Sequence, residues 1–428
     1  MPITTPFGQW KNWQTLFRRG IDCGQACRWQ VAKNNHYLAG GEMLPKTADV
    51  VVIGGGVMGA STAYHLAQRG VDTVLLEKAP SFGEASTGKC AGGVRHQFST
   101  AVNIELSRES FKMMERFPEE LEQDIGLRKI GYLFLLDNDA DMAQFRKNVE
   151  LQNRLGIGSV VLSPEELAAR VPYLNLDGIV GGTFYDGDGL ADPHSMVQGY
   201  IRGARRAGAK LFDSTPVTDI KTYGQKIIGV ETPNGSIATE TVVIATGAWS
   251  GQIGKMMGIN LPIVPLRRQI AVTRPLPALK SLDLTFILFF GESLYFHPEG
   301  EGILTGMSNQ NETVGFNEMV DPKWTLTHIE HAINRFPLLE EAELLTEWAG
   351  LYEMTPDHQA ILGRLPQIDG ANCVAGFSGH GFMHGPICGK LMAEEIVDGR
   401  AHTVNIDPLR YERFLAEGAE DISEFNVV

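Results

Sequence analysis

The stretch ADVVVIGGGVMGASTAYHLAQRGVDTVLLEK, Ala48 to Lys78, constrains the fold more than any other part of the sequence. An apolar run, a glycine turn, a segment with apolar residues at helical spacing and a second apolar run together predict one βαβ unit. Within the turn, Gly54, Gly56 and Gly59 stand in the spacing GxGxxG. The first glycine permits the tight turn, the second lets backbone approach a pyrophosphate, and the third lets helix pack on strand. Val57 and Met58 open the helix, whose free N–H groups would face the phosphates. Glu77 ends the second strand, where a carboxylate can accept hydrogen bonds from a ribose. A glycine triplet alone is a weak signal, but with strand, helix, strand and terminal acid it predicts a bound dinucleotide.

A nicotinamide-binding chain would continue through further βα units, whereas here the pattern changes after SFGEASTGKCAGGVRHQF. Later segments point to a flavin instead. Lys210 to Ile220 reads as a strand entering a turn, and Thr239 to Ser250 as a buried strand ending in ATG. Gly370 to Gly399 is again strand, glycine-rich turn and helix. Its turn, GFSGHGFMHGP, admits three uses: a metal site at His380 and His384, a phosphate loop, or a close cover over a flat cofactor. No carboxylate or cysteine set accompanies the two histidines, which disfavours metal. Gly54 to Gly59 already supplies a phosphate loop. That leaves a helix N-terminus whose N–H groups would stabilise the negative charge of a reduced flavin.

The 428-residue chain has length enough for two cores, and two domains are expected. The FAD-binding part is expected at 48–128, 188–255 and 345–428, following an N-terminal extension at 1–47. Segments 129–187 and 256–344 carry alternating patterns such as QIAVTRP, SLYFHP and GILTGMS, with WTLTHIEHAINRF as a neighbouring helix. They predict a second, mostly antiparallel substrate-binding domain. In the extension, residues 10–18 place Trp10, Trp13 and Phe17 on one face of a short helix, either packed on the chain's own domain or docking a partner. A net charge of −14 argues against nucleic-acid or anionic-membrane partners. No window has the apolar length of a membrane span, and no secretory signal pattern opens the chain, so a cytoplasmic location is expected. Five cysteines, Cys23, Cys27, Cys90, Cys373 and Cys388, are too scattered for a disulfide framework or a zinc site.

From about Ala48 to about Glu417 the sequence resembles the D-amino-acid oxidase and sarcosine oxidase superfamily of FAD enzymes. The resemblance is strongest to the branch of the sarcosine oxidase β subunit and FAD-linked proline dehydrogenases. It rests on VVIGGGVMGASTAYHLAQRG with Glu77, AGGVRHQF, YDGDGLADP, VVIATGAWS, PLRRQ, YEMTPDHQAILG and GFSGHGFMHGP, in that order.

The resemblance implies a Rossmann-type α/β fold and a non-covalent FAD at Gly54, Gly56, Val57, Met58, Gly59, Glu77 and Lys78. It places the pyrophosphate near Ser86 and Thr87, and adenine at the backbone of Val217. Ala245, Thr246, Gly247 and Trp249 would follow the ADP part; Gly379, His380, Gly381, Phe382 and Met383 would lie beside the flavin ring. The implied reaction oxidises a C–N bond of a small amine or amino acid. O2 or another acceptor, a partner subunit or a homo-oligomer would complete the cycle. Arg95 is the candidate cation for a substrate carboxylate, since a guanidinium offers bidentate geometry. Tyr295, His297 and Tyr352 are candidate pocket walls. Monomeric sarcosine oxidases carry a flavin-linking cysteine where this chain has Gly350. They also carry lysines where it has Met383 and, by a looser alignment, Leu304.

Overall fold

A computed structural model describes residues 43–415 and 423–427. The expected helix at 10–18, and Cys23 and Cys27, lie outside the described residues. From Leu44 onward the chain forms one compact unit.

Strand Val50–Ile53 lies inside a six-stranded sheet, between Val242–Ile244 and Thr73–Leu76. Pairing is parallel on both sides, with Val51 opposite Val242 and Val74. Lys210–Phe212 and Ala371–Ala375 extend the sheet in parallel, and Ile361–Arg364 closes one edge antiparallel. The sequences VVVI, TVLL and VVI are buried throughout, as strands covered on both faces must be. Helices Val57–Gln68, Pro193–Arg206 and Gly381–Val397 share one core with Val50, Val52, Leu75 and Val243. The alternate residues Val51, Ile53, Val74 and Leu76 meet Ile220, Val230 and Ile253 on the opposite face. Helices Val57–Gln68 and Gly381–Val397 cross closely because position 389 lacks a Cβ: one placed there would sit 2.2 Å from Ser61 Oγ.

A second sheet has eight strands, in the order Leu344–Met354, Val264–Thr273, Gly302–Met307, Leu294–Glu299, Phe286–Phe289, Tyr132–Leu136, Gly181–Tyr185 and Val160–Leu162. It is antiparallel except where Phe286–Phe289 runs parallel to Tyr132–Leu136. Helix Pro322–Arg335 shares a core with it through Ala332, next to Phe296 and Phe336. Strand Leu344–Met354 pairs along Val264–Thr273 from Thr273 opposite Leu344 to Val264 opposite Met354. The second sheet therefore runs about ten residues past 344, where the sequence suggested a boundary. This ribbon brings Tyr352 against Gly379, just before the helix start at Gly381. The terminal residues return to the body as well: Glu424 accepts hydrogen bonds from Ser99, Thr100 and Asn103.

Candidate active site

A long cleft runs between the C-terminal ends of the parallel strands and the face of the second sheet. At one end Gly54 turns with φ +106°, and a Cβ there would lie 2.4 Å from the carbonyl oxygen of Ala245. The left-handed region and the close backbone approach both require glycine. Gly59 packs behind this turn and does not line the cleft, in keeping with a packing role. Glu77 accepts from the N–H groups of Gly55 (2.6 Å) and Ala79 (2.8 Å), which fixes its carboxylate at the strand end. The hydroxyl of Thr87 accepts from the first helical N–H, that of Val57, while Ser86 donates to the carbonyl of Leu351. The Lys78 ammonium lies 3.4 Å over the indole of Trp249, and burial lowers its pKa. Val57, Met58, Val217, Ala245, Thr246 and Gly247 complete this end.

Gly379, His380, Gly381, Phe382 and Met383 line the cleft where helix Gly381–Val397 begins. His380 is 2% exposed, and neither ring nitrogen has a partner among the described residues. Burial holds its pKa well below the usual imidazole value, so the ring is neutral. His384, one turn on, shares a 2.9 Å hydrogen bond with Ser107 and titrates near 3 for the same reason. The two rings meet edge-on at 5.3 Å beside Phe98 and Phe377. Among the described residues no three His, Cys, Asp or Glu side chains gather in a metal-binding group.

Arg95 follows the short strand Gly93–Val94 and reaches the same cleft while only 5% exposed. Its guanidinium donates to the carbonyls of Gln97 and Asn426 and lies 3.9 Å from the ring centre of Phe98. No carboxylate pairs with it among the described residues. The nearest acids are engaged elsewhere. Asp188 takes the N–H and ring of His96, both at 2.7 Å, and Glu424 takes Ser99, Thr100 and Asn103. A buried cation that rests on two carbonyls and an aromatic face, with no carboxylate hydrogen-bonded to it among the described residues, is suited to receive an anion.

Tyr295 and Tyr352 also line the cleft, but His297 does not. It stacks behind Phe286 at 5.2 Å, and burial lowers its pKa to about 4. Residues 295 and 297 share a sheet face, yet two strand residues span ~6.7 Å, enough to carry the second past the rim. The wall instead gains Tyr132 and Phe286, stacked at 4.0 Å with 10° between ring planes; Tyr295 follows at 5.6 Å. Arg268, Glu353 and Cys90 are further lining residues that the sequence did not single out as site residues. Burial pushes the Glu353 carboxyl up to about 7. Leu304 packs with Ile270 and Val272 and is not part of the lining.

The DAO family, described as FAD dependent oxidoreductase, matches residues 49–395. The chain belongs to this family. Mitochondrial sarcosine dehydrogenase of Homo sapiens is 31% identical over 377 residues, covering 83% of this chain and 40% of its own length. Mitochondrial dimethylglycine dehydrogenase of Rattus norvegicus is 30% identical over 388 residues, covering 85% of this chain and 45% of its own length. The chain thus spans less than half of either relative. The crystal structure of L-proline dehydrogenase from P. horikoshii superposes with a TM-score of 0.81 at 31% identity, covering 87% of this chain and 99% of that one.

The residues along the cleft fit the FAD that this family's description names. The Gly54 turn is open where any Cβ would collide, Glu77 is oriented by two N–H groups, and Lys78 has no acidic ion-pair partner among the described residues. At the opposite end His380, without a hydrogen-bond partner among the described residues, and the start of helix Gly381–Val397 line the cleft with a neutral ring and free helix N–H groups. No helix among the described residues is long and apolar enough to cross a membrane.

Proposed function

We propose that this flavoprotein oxidises the C–N bond of a small secondary amine or N-substituted amino acid that carries a carboxylate. Sarcosine, dimethylglycine, proline and iminodiacetate-like amines belong to the class. The observation that carries the reading is Arg95, a buried cation without an acidic ion-pair partner among the described residues, in the cleft that also bears the nucleotide turn. The names of the relatives, sarcosine, dimethylglycine and proline dehydrogenases, support the same class. Bound FAD supplies a two-electron hydride acceptor. Arg95 would hold the carboxylate and so orient one C–H bond. The rings of Tyr132, Phe286 and Tyr295 give the substrate an apolar wall that limits water beside the reacting carbon. All three tyrosines of the site, Tyr132, Tyr295 and Tyr352, are held above their ordinary pKa by burial. They would serve as neutral donors and walls rather than as bases. Water then adds to the oxidised C=N bond, giving a carbonyl compound and a smaller amine, or, from a cyclic amine such as proline, a single ring-opened amino carbonyl compound.

Anaerobic addition of such amines should bleach the flavin band, while the corresponding amides, lacking the carboxylate, should do so only at far higher concentration. Equal response to acids and amides would remove Arg95 from the reading.

A second point concerns the electron acceptor. Met383 is uncharged, Leu304 is buried in an apolar patch, and Lys89 is held by Glu318 at 2.6 Å. This charge pattern favours an acceptor other than O2. Stopped-flow mixing of reduced protein with air should show slow reoxidation; reoxidation at catalytic rates would identify an oxidase.

A further inference from the structure

Four cationic side chains line the cleft: Lys78, Lys89, Arg95 and Arg268. Lys78 belongs to the nucleotide end beside Trp249, and Lys89 is neutralised by Glu318. Arg95 is the cation assigned above to a substrate carboxylate. Arg268 is left without a task.

It projects from strand Val264–Thr273, opposite Gly350 in the paired strand, and its Cζ lies 5.1 Å from the ring centre of Tyr352. Nη1 donates to the carbonyl of Arg267 at 3.0 Å, whereas Nε is shut off from water and has no partner among the described residues. Among the described residues no carboxylate forms an ion pair with it. The acids on that side are taken by the neighbouring arginine. Arg267 binds Glu312 at 2.9 Å, lies 3.7 Å from Asp321, and donates to the carbonyl of Met319. Adjacent arginines thus face opposite ways along the strand, one locked in a structural ion pair and the other turned unpaired into the cleft. The Tyr352 ring in turn packs against Gly379, and the ring of the next residue, His380, lies 5.3 Å from Phe98, the ring beneath Arg95, so both cations border one end of the cleft. Arg268 is half-buried, and with Nε sealed and no acid paired to it among the described residues its charge is incompletely satisfied, so an arriving anion gains a favourable partner there.

We propose that Arg268 is a second anion-binding residue of the substrate site, and that the substrate is a small dicarboxylic secondary amine with one carboxylate at Arg95 and the other at Arg268. The inference rests on the C–N oxidation reading and narrows it. A substrate of the form R–NH–CH2–COO⁻, with a second carboxylate in R, fits the requirement. Hydride leaves the CH2 carbon for bound FAD, water adds to the resulting C=N bond, and cleavage of that C–N bond releases glyoxylate and the amine R–NH2.

The test compares paired ligands on the FAD-loaded protein. Oxydiacetate and methoxyacetate cannot be oxidised at nitrogen and differ by one carboxylate; iminodiacetate and sarcosine are the corresponding amines. Binding of the first pair is read from perturbation of the flavin spectrum, and turnover of the second from anaerobic bleaching. The wild-type protein should prefer the dicarboxylate in each pair. Arg268→Gln should lower the preference ratio roughly 30-fold or more, the scale set by losing one partner of a desolvated charge pair. Arg268→Lys, which keeps the charge, should retain part of it. Equal binding of oxydiacetate and methoxyacetate by wild type, or equal losses for both in Arg268→Gln, would overturn the proposal. If sarcosine bleaches the flavin and iminodiacetate does not, the narrowing fails while C–N oxidation stands. Should neither amine bleach the flavin, the parent reading fails, and the oxydiacetate comparison still decides whether Arg268 binds an anion.

Discussion

Replacing Arg95 by glutamine separates the two jobs its guanidinium performs. The side chain holds the carbonyls of Gln97 and Asn426, and by the account above it also receives the substrate carboxylate. Truncating one partner of a buried, hydrogen-bonded charge pair costs about 2–5 kcal/mol. At about 1.4 kcal/mol per factor of ten, kcat/KM for sarcosine or proline should fall roughly 30-fold to a few thousand-fold. Glutamine keeps one amide donor, so a single carbonyl loses its partner, at about 1–3 kcal/mol of folding stability. That loss is a fraction of an ordinary domain's ~5–15 kcal/mol, and the variant should fold. Flavin content should be unchanged, because Gly54, Glu77 and Lys78 are untouched. The assay compares kcat/KM for sarcosine and for sarcosine amide in both proteins. The structural effect acts on both substrates; the electrostatic effect acts only on the acid. A collapse of the acid-to-amide ratio is therefore expected, and equal losses for the two substrates would refute a carboxylate-binding role.

Three further outcomes follow from the packing and ionisation of the chain. His328 is buried against Thr305 with its pKa lowered to about 4, so between the ordinary value of 6.5 and that value the unfolded chain binds the extra proton. Stability should fall as pH drops through this window, and His328→Gln should make the decline of melting temperature with acid shallower; an unchanged slope would show that the ring is not buried neutral. Position 350 offers no thiol, and burial pushes the Cys90 thiol up to about 12, so among the described residues no thiolate faces the cleft at neutral pH. Acid precipitation should release all the FAD to the supernatant, and a yellow pellet would contradict this. Gly389→Ala, which in an exposed helix would gain ~1 kcal/mol, should instead destabilise by about 1–3 kcal/mol because its Cβ would meet Ser61. Thermal melts of the two proteins decide the sign.

The features legible in the sequence are those whose constraint is local. Gly54, Gly56 and Gly59 encode the turn by their spacing, and the apolar strands beside them are buried on both faces. The stretch from Gly376 to Pro386 likewise announced a glycine turn entering a helix, and the helix runs Gly381–Val397. What escaped depends on pairing between distant segments. Tyr132 meets Phe286 only because their strands align in parallel, and a sequence carries no local mark of that register. Arg267 and Arg268 are indistinguishable as letters; the pleat sends one to Glu312 and the other to the cleft. The resemblance placed His297 in the wall with Tyr295; the two do share a sheet face, but a shared face leaves the distance along the strand open, and His297 lies off the lining. Asp188, within YDGDGLADP, proves to be the residue that holds His96 beside Arg95, a contact across about ninety positions. The return of Asn426 to Arg95 is of the same kind.

The central claim, oxidation of a C–N bond in a carboxylate-bearing amine, is tested most directly by anaerobic titration of the purified yellow protein with sarcosine, dimethylglycine, proline and iminodiacetate. The account predicts that at least one of them bleaches the flavin band completely and yields the corresponding imine or carbonyl product. A flavin that stays oxidised with every amine, yet bleaches with a chemical reductant, would contradict it.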